Sequence, residues 1–132
     1  MLSVKIITPS GLYKECDAQM VNARSVEGAF GVLPKHMPVV AMLDISELQL
    51  IFANGERKDY AVAGGLFHLL NDEVRILTDS IEGEDEIDIE RAKRAEARAR
   101  KRLESHKDDI NMRRAEIALR KAINRISVKN GE

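Results

Sequence analysis

The sequence predicts a β-rich domain followed by a hairpin of two helices, and three observations carry that prediction. All five aromatic residues, all three prolines and seven of the eight glycines lie at or before Gly83. Short alternations of apolar and polar residues, bounded by turn residues, fill that first stretch. Beyond it, alanine and charged residues continue at helical spacing.

Within the first stretch, Leu2, Val4 and Ile6 alternate with Ser3, Lys5 and Ile7 before the break at Pro9-Ser10-Gly11. Leu48, Leu50 and Phe52 alternate along a second run, and Tyr60 and Val62 along a third. Asn54-Gly55 separates these two runs and is the strongest hairpin signal in the chain, because both residues accept positive φ. Asn71-Asp72 marks another turn, between "GLFHLL" and "EVRILTD". Strands at intervals of roughly 8–12 residues with turns between them fit a sandwich or a small barrel.

The second stretch predicts a helix from Ile87 to about Leu103, capped by Asp85, with Glu86 and Asp88 in its positive first turn. "ESHKDD" interrupts the pattern, and Asp108 or Asp109 caps a second helix reaching about Ser127. Ala92, Ala95, Ala99 and Leu103 form the packing stripe of the first helix. Ala115, Leu119, Ala122, Ile123 and Ile126 form that of the second. A short connection implies an antiparallel pair. Alanines bury little area, so such a hairpin is either a permanently docked appendage or an element that leaves its docking site at modest cost.

Composition narrows the function. A chain of 132 residues with 44% hydrophobic residues forms one domain, or a small domain plus an appendage. Its net charge of −1 argues against bulk electrostatic binding to nucleic acid or anionic lipid. That total hides a dipolar chain, net −4 through Gly83 and net +3 after it. Cys16 stands alone, so no disulfide framework or cysteine metal cluster is expected, and a reducing cytosol fits. "MLSVKIITPS" does not read as a signal peptide, and "VVAML" is too short to span a bilayer.

Arg91, Arg94, Arg98 and Arg102 align on one side of the first helix, and Arg114, Lys121 and Arg125 on one side of the second. Guanidinium forks suit phosphate oxygens. Asp88 is placed to orient Arg91, or to accept from an adenine amine or a ribose hydroxyl. The plain alternative is a solvated charged face. Catalysis is not expected: there is no phosphate loop of Walker type, no nucleophile elbow and no metal-ligand spacing. His36, His68 and His106 are isolated, and Glu82, Glu84 and Asp85 suffice as a linker or helix start.

"EGAFGVLPKHMPVVAMLD" contains the pattern Gly28-x-x-Gly31-x-Leu33-Pro34-x-His36-x-Pro38. It resembles the signature loop of the ε subunit of bacterial F-type ATP synthase. "VAGGLFHLLNDEVRILTDS" resembles the paired-glycine strand of that family, and "EIDIERAKRA" and "DINMRRAEIALRKAINRI" its two C-terminal helices. The resemblance covers essentially the whole chain. It implies a ten-stranded β-sandwich over residues 1–84, docked on the γ subunit and the c-ring, and a regulatory helical hairpin over residues 85–132. It further implies a non-catalytic subunit with no required cofactor and no metal, at the cytoplasmic side of the cell membrane and without membrane insertion. In this family the hairpin, extended towards the α and β subunits, blocks ATP hydrolysis, and folded it releases the enzyme.

Two sets of residues follow from the resemblance. Gly31, Pro34, His36 and Pro38 match the contact loop at the foot of the stalk, although Ala29 stands where many relatives have glutamate. Ile87-Asp88-Ile89-Glu90-Arg91-Ala92 matches the (Ile/Leu)-Asp-x-x-Arg-Ala motif of bacillus-type relatives, in which ATP clamps the folded hairpin. Glu82, Arg98, Arg114, Lys121 and Arg125 complete the implied ATP site. Lys121 replaces an expected arginine and so predicts weaker binding, since lysine keeps the charge but loses the fork. Two rivals are separable. A nucleic-acid-binding hairpin shows steep salt dependence, and an ATP-hydrolysing enzyme turns over ATP alone.

Overall fold

A computed structural model of the chain describes residues 1–105 and 109–131. His106 and Asp108, two of the residues weighed above, lie outside them. The described chain forms two compact units, Met1–Gly83 and Glu84–Glu132.

The first unit has eight strands: β1 (Leu2–Thr8), β2 (Gly11–Ala18), β3 (Met20–Ser25), β4 (Gly28–Val32), β5 (Val39–Ile51), β6 (Arg57–Leu70), β7 (Glu73–Leu77) and β8 (Ile81–Gly83). Their hydrogen-bonded order is β2-β1-β7-β6-β5-β3-β4, with β8 also on β6. All pairings are antiparallel except β1 with β7. β5 and β6 keep one register from Val39↔Leu69 to Ile51↔Arg57, but the pairing lapses at Asp44 and Gly64, between Leu43↔Gly65 and Ile45↔Ala63. Each long strand therefore contributes one segment to each of two layers. β7 pairs with Leu66–Leu70, whereas β8 pairs with Tyr60–Val62. Eight strands with two of them shared give five segments per layer, which is the relation to the expected ten-stranded sandwich.

The bend is a glycine property. Gly64 and Gly65 have φ of 85° and 129°, a region that other residues avoid. A Cβ on Gly65 would run into the carbonyl oxygen of Leu77. Between the layers lie Leu2, Val4, Ile6, Val21, Val32, Leu48, Leu50, Phe67, Leu69, Val74 and Ile76, all fully buried. Two edge-to-face aromatic pairs bridge the layers, Phe30 on Phe67 with centroids 5.0 Å apart and Tyr13 on Tyr60 at 6.3 Å.

The Asn54-Gly55 hairpin is closed differently from expectation. The Phe52 amide donates to Glu56 O and the Gly55 amide to Phe52 O. Of the two residues only Gly55 has positive φ, 85°. This is a three-residue loop ending in a left-handed glycine rather than a two-residue primed turn. At Asn71-Asp72 both residues do have positive φ, 50° and 62°, as a primed two-residue turn requires.

The second unit consists of a 3₁₀ turn, Glu84–Glu86, and two helices, α1 (Ile89–Ser105) and α2 (Asp109–Asn130). α1 and α2 pack on each other. Their fully buried alanines recur seven apart, Ala92 with Ala99 and Ala115 with Ala122. Ala95, Leu103, Leu119 and Ile126 are half-buried. Ile123, expected in the seam, is 43% exposed, and Val128 is buried instead. Lys129 Nζ donates to the carbonyl oxygen of Glu84 at 3.1 Å, tying the end of α2 to the turn before α1 and fixing the antiparallel arrangement.

Candidate functional site

The start of α1 carries the six-residue motif, and local capping chemistry accounts for three of its four defining residues. Asp88, not Asp85, is the N-cap. Its Oδ1 accepts from the Glu90 amide at 3.1 Å and the Arg91 amide at 3.2 Å, two of the donors that a helix start leaves without partners. The Asp88 carbonyl oxygen accepts the first intrahelical bond, from the Ala92 amide. Ile87 precedes the cap and Ala92 is four residues beyond it, the two positions of a hydrophobic staple, and both are buried. Asp85 instead lies in the 3₁₀ turn. Two acids competed for the cap, and the burial of Ile87 places the start at the second.

Arg91 is the motif residue that capping leaves over. It is exposed, and its amide rather than its side chain serves the cap. Arg94, Arg98 and Arg102 follow on α1, all exposed. Of the charged side chains on α1, Arg100 has an acidic partner, Glu96 Oε1 at 3.1 Å, in the favourable i,i+4 order. On α2, Arg114 is exposed, whereas Lys121 and Arg125 are half-buried.

The helix rise of 1.5 Å per residue separates Arg114 from Arg125 by roughly 16 Å along α2. Arg114 does not gather with Arg91, because α1 runs the opposite way. It joins Arg102 in lining a cavity of about 340 Å³ at the far end of the hairpin, with Ser105, Asn111, Met112 and Ala115. Arg102 was visible in the sequence as the last member of the α1 stripe but was not among the expected ligand residues. Glu82 lies in the first unit, half-buried on β8 opposite Ala61.

The loop between β4 and β5 holds the other expected set. The His36 amide donates to Leu33 O at 3.2 Å, with Pro34 and Lys35 between them. Lys35 has φ of 67°. Proline at the second position and positive φ at the third make a type II turn. Lys35, Met37 and Pro38 are exposed, and Met37 is the most exposed large apolar residue described, at 76%. His36 is exposed too, with Nδ1 2.7 Å from Met37 O. Gly31 leaves room for its neighbour: a Cβ there would lie 2.5 Å from Asn22 Oδ1, so that the Asn22 side chain would have to turn aside.

Near Asn22 a polar row crosses the sheet. Asn22 Nδ2 donates to Gln49 Oε1 at 3.3 Å, and Gln49 Nε2 to Glu47 Oε1 at 3.4 Å. Burial, more than the nearby Asp59, pushes the Glu47 carboxyl above the ordinary range. No group of three or more acidic, histidine or cysteine side chains is placed to hold a metal ion among the described residues. Nor is any described helix long and apolar enough to cross a membrane.

Comparison with known proteins bears on both regions. Residues 1–84 match the family described as ATP synthase, Delta/Epsilon chain, beta-sandwich domain, and residues 85–130 match its long alpha-helix domain. An ATP synthase epsilon chain from an Exiguobacterium species is 45% identical over 128 residues, covering 96% of this chain and 94% of that one. The ATP synthase epsilon chain of Halalkalibacterium halodurans is 42% identical over 129 residues, covering 96% of each. A chain in the Euglena gracilis mitochondrial ATP synthase (OSCP, F1 and c-ring) superposes with a TM-score of 0.81 at 26% identity, over 90% of this chain and 75% of that one. A chain of the Tetrahymena thermophila central stalk and c-ring structure shares the fold, with a TM-score of 0.54 over 64% of this chain and 68% of that one. Family models that together match residues 1–130, and relatives 45% and 42% identical over 96% of this chain, show that the chain belongs to the ATP synthase delta/epsilon chain family.

Proposed function

We propose that this chain is a switchable regulator of a rotary ATP synthase, with a hairpin that ATP holds in its folded state. It is a non-catalytic subunit of the central stalk of that enzyme. The sandwich, through Gly31, Pro34, His36 and Pro38, meets the γ subunit and the c-ring at the cytoplasmic face of the membrane. The hairpin, when extended towards the α and β subunits, inhibits ATP hydrolysis.

The observation that carries the nucleotide reading is Arg91. Its neighbours in the motif are engaged in starting the helix, while its guanidinium is exposed at the first turn of a net-basic hairpin. Arginine there supplies a planar fork for phosphate oxygens. Arg98 on α1, and Lys121 and Arg125 on α2, extend the cationic surface, whereas Arg114 lies with Arg102 at the far end of the hairpin. Ile87, Asp88 and Ala92 enter through the fixed helix start that presents Arg91. The four fully buried alanine methyl groups of the seam together contribute only about 3 kcal/mol, at roughly 0.8 kcal/mol each. A ligand that binds one state shifts the balance between the two by its differential affinity alone.

Calorimetric titration of the full chain with ATP and ADP, repeated on Arg91→Ala, tests the nucleotide reading. Saturable ATP binding, weaker for ADP and lost in the variant, is expected. Heat that is absent up to millimolar ATP rejects it. The inhibitory reading is tested by comparing ATP hydrolysis of the reconstituted enzyme carrying the full chain with one lacking residues 85–132. Equal rates reject inhibition.

A further inference from the structure

The turn that presents Met37 is built around the wrong residue. The third position of a type II turn requires positive φ and is ordinarily glycine or asparagine, yet Lys35 occupies it at φ 67°. In this turn the central peptide is rotated so that the amide of the third residue points away from the turn and takes no part in closing it. That amide has a partner from a distant part of the chain: Lys35 N–H donates to Asp72 Oδ1 at 2.6 Å. Asp72 belongs to the β6–β7 turn, and its own carbonyl oxygen accepts from the Ser3 amide at 2.8 Å. One residue therefore joins the β4–β5 loop, the β6–β7 turn and strand β1 at one end of the sandwich.

We propose that Asp72 is the positioning residue of the stalk-contact loop, holding Lys35 in the left-handed region so that Met37 is presented in a preset shape. The inference rests on the reading of that loop as a contact with the c-ring or γ. A loop fixed before docking loses less conformational entropy on binding, and a stiff contact transmits torque where a loose one yields. The β6–β7 turn does not need the carboxylate. Asn71 and Asp72 have φ of 50° and 62°, values that glycine at position 72 satisfies as well as aspartate. Asp72→Gly thus removes the side-chain bond while suiting the turn, and Asp72→Asn keeps an oxygen for the Lys35 amide.

Amide exchange on the isolated full chain and proton pumping by the reconstituted enzyme test this together. In Asp72→Gly the Lys35 amide is expected to exchange at least tenfold faster, with the rest of the sandwich unchanged. Protons pumped per ATP hydrolysed should fall at least twofold, and Asp72→Asn should restore both readouts. Unchanged Lys35 exchange in Asp72→Gly overturns the inference. So does faster exchange with unchanged coupling when Met37→Asp does uncouple the enzyme. If Met37→Asp also leaves coupling intact, the loop is not the contact and the underlying reading falls instead. A folded Asp72→Gly chain that fails to assemble supports the inference, and a chain that fails to fold overturns it by making Asp72 a folding residue.

Discussion

Replacing Asp88 separates two roles that its position in the motif combines. In Asp88→Ala the Glu90 and Arg91 amides lose the oxygen that accepts from them at 3.1 and 3.2 Å. Loss of an N-cap costs about 1 kcal/mol. Because 1.4 kcal/mol is a factor of ten in an equilibrium constant, the first turn of α1 should open about five times more often. Asp88→Asn keeps a capping oxygen and loses only the charge at the positive helix end, worth about 0.3–1 kcal/mol. Amide exchange at Glu90 and Arg91 is the assay, with residues in the middle of α2 as the internal reference. The expected order of protection is wild type, then Asp88→Asn, then Asp88→Ala. ATP titration of the same variants adds the ligand: through fraying alone, Asp88→Ala weakens binding only by the factor by which the closed fraction of the first turn falls, which is less than about fivefold. In Asp88→Asn, any loss beyond its change in helix protection measures a direct contact of the remaining carboxylate oxygen. Unchanged exchange at Glu90 and Arg91 in Asp88→Ala would refute the capping account of the motif.

Other perturbations follow from the same geometry. Gly65→Ala combines positive φ with a collision at Leu77 O, and should destabilise the sandwich by at least about 2 kcal/mol in denaturant unfolding. Ala122→Leu overfills a fully buried seam position and should cost about 1–3 kcal/mol, seen as faster exchange in α1 and α2 but not in β1–β8. Burial raises the folded-state value of Glu47 above 4.5, so folding takes up a proton. The native state then loses stability as pH rises from about 4.5 through that raised value, and the penalty is constant above it. Glu47→Gln, which can still accept from Gln49, should flatten the pH dependence in that window and be the more stable form at neutral pH, as read by thermal unfolding from pH 4 to 8.

Periodicity and turn chemistry are local, and the sequence determined what is local. Alternation along Leu2–Ile6 and Leu48–Phe52, the turn at Asn71-Asp72, and the alanine stripes of the hairpin were legible because each depends on residues within a few positions. The arginine stripe of α1 was legible for the same reason. Where two local signals competed, local reasoning failed. Asp85 and Asp88 are equally good caps, and the burial of Ile87 decided between them. Ile123 and Val128 both suit an apolar stripe, and packing chose Val128.

Tertiary structure alone decided what joins distant parts of the chain. That β5 and β6 each serve both layers depends on Gly64 and Gly65 meeting the break in pairing at Asp44. That Arg114 gathers with Arg102 follows from the antiparallel course of α1 and α2. That Lys35 adopts a glycine conformation depends on a carboxylate 37 residues away. No spacing rule encodes a contact of that kind, because the hydrogen bond exists only after the sheet has brought the β4–β5 and β6–β7 connections to the same end.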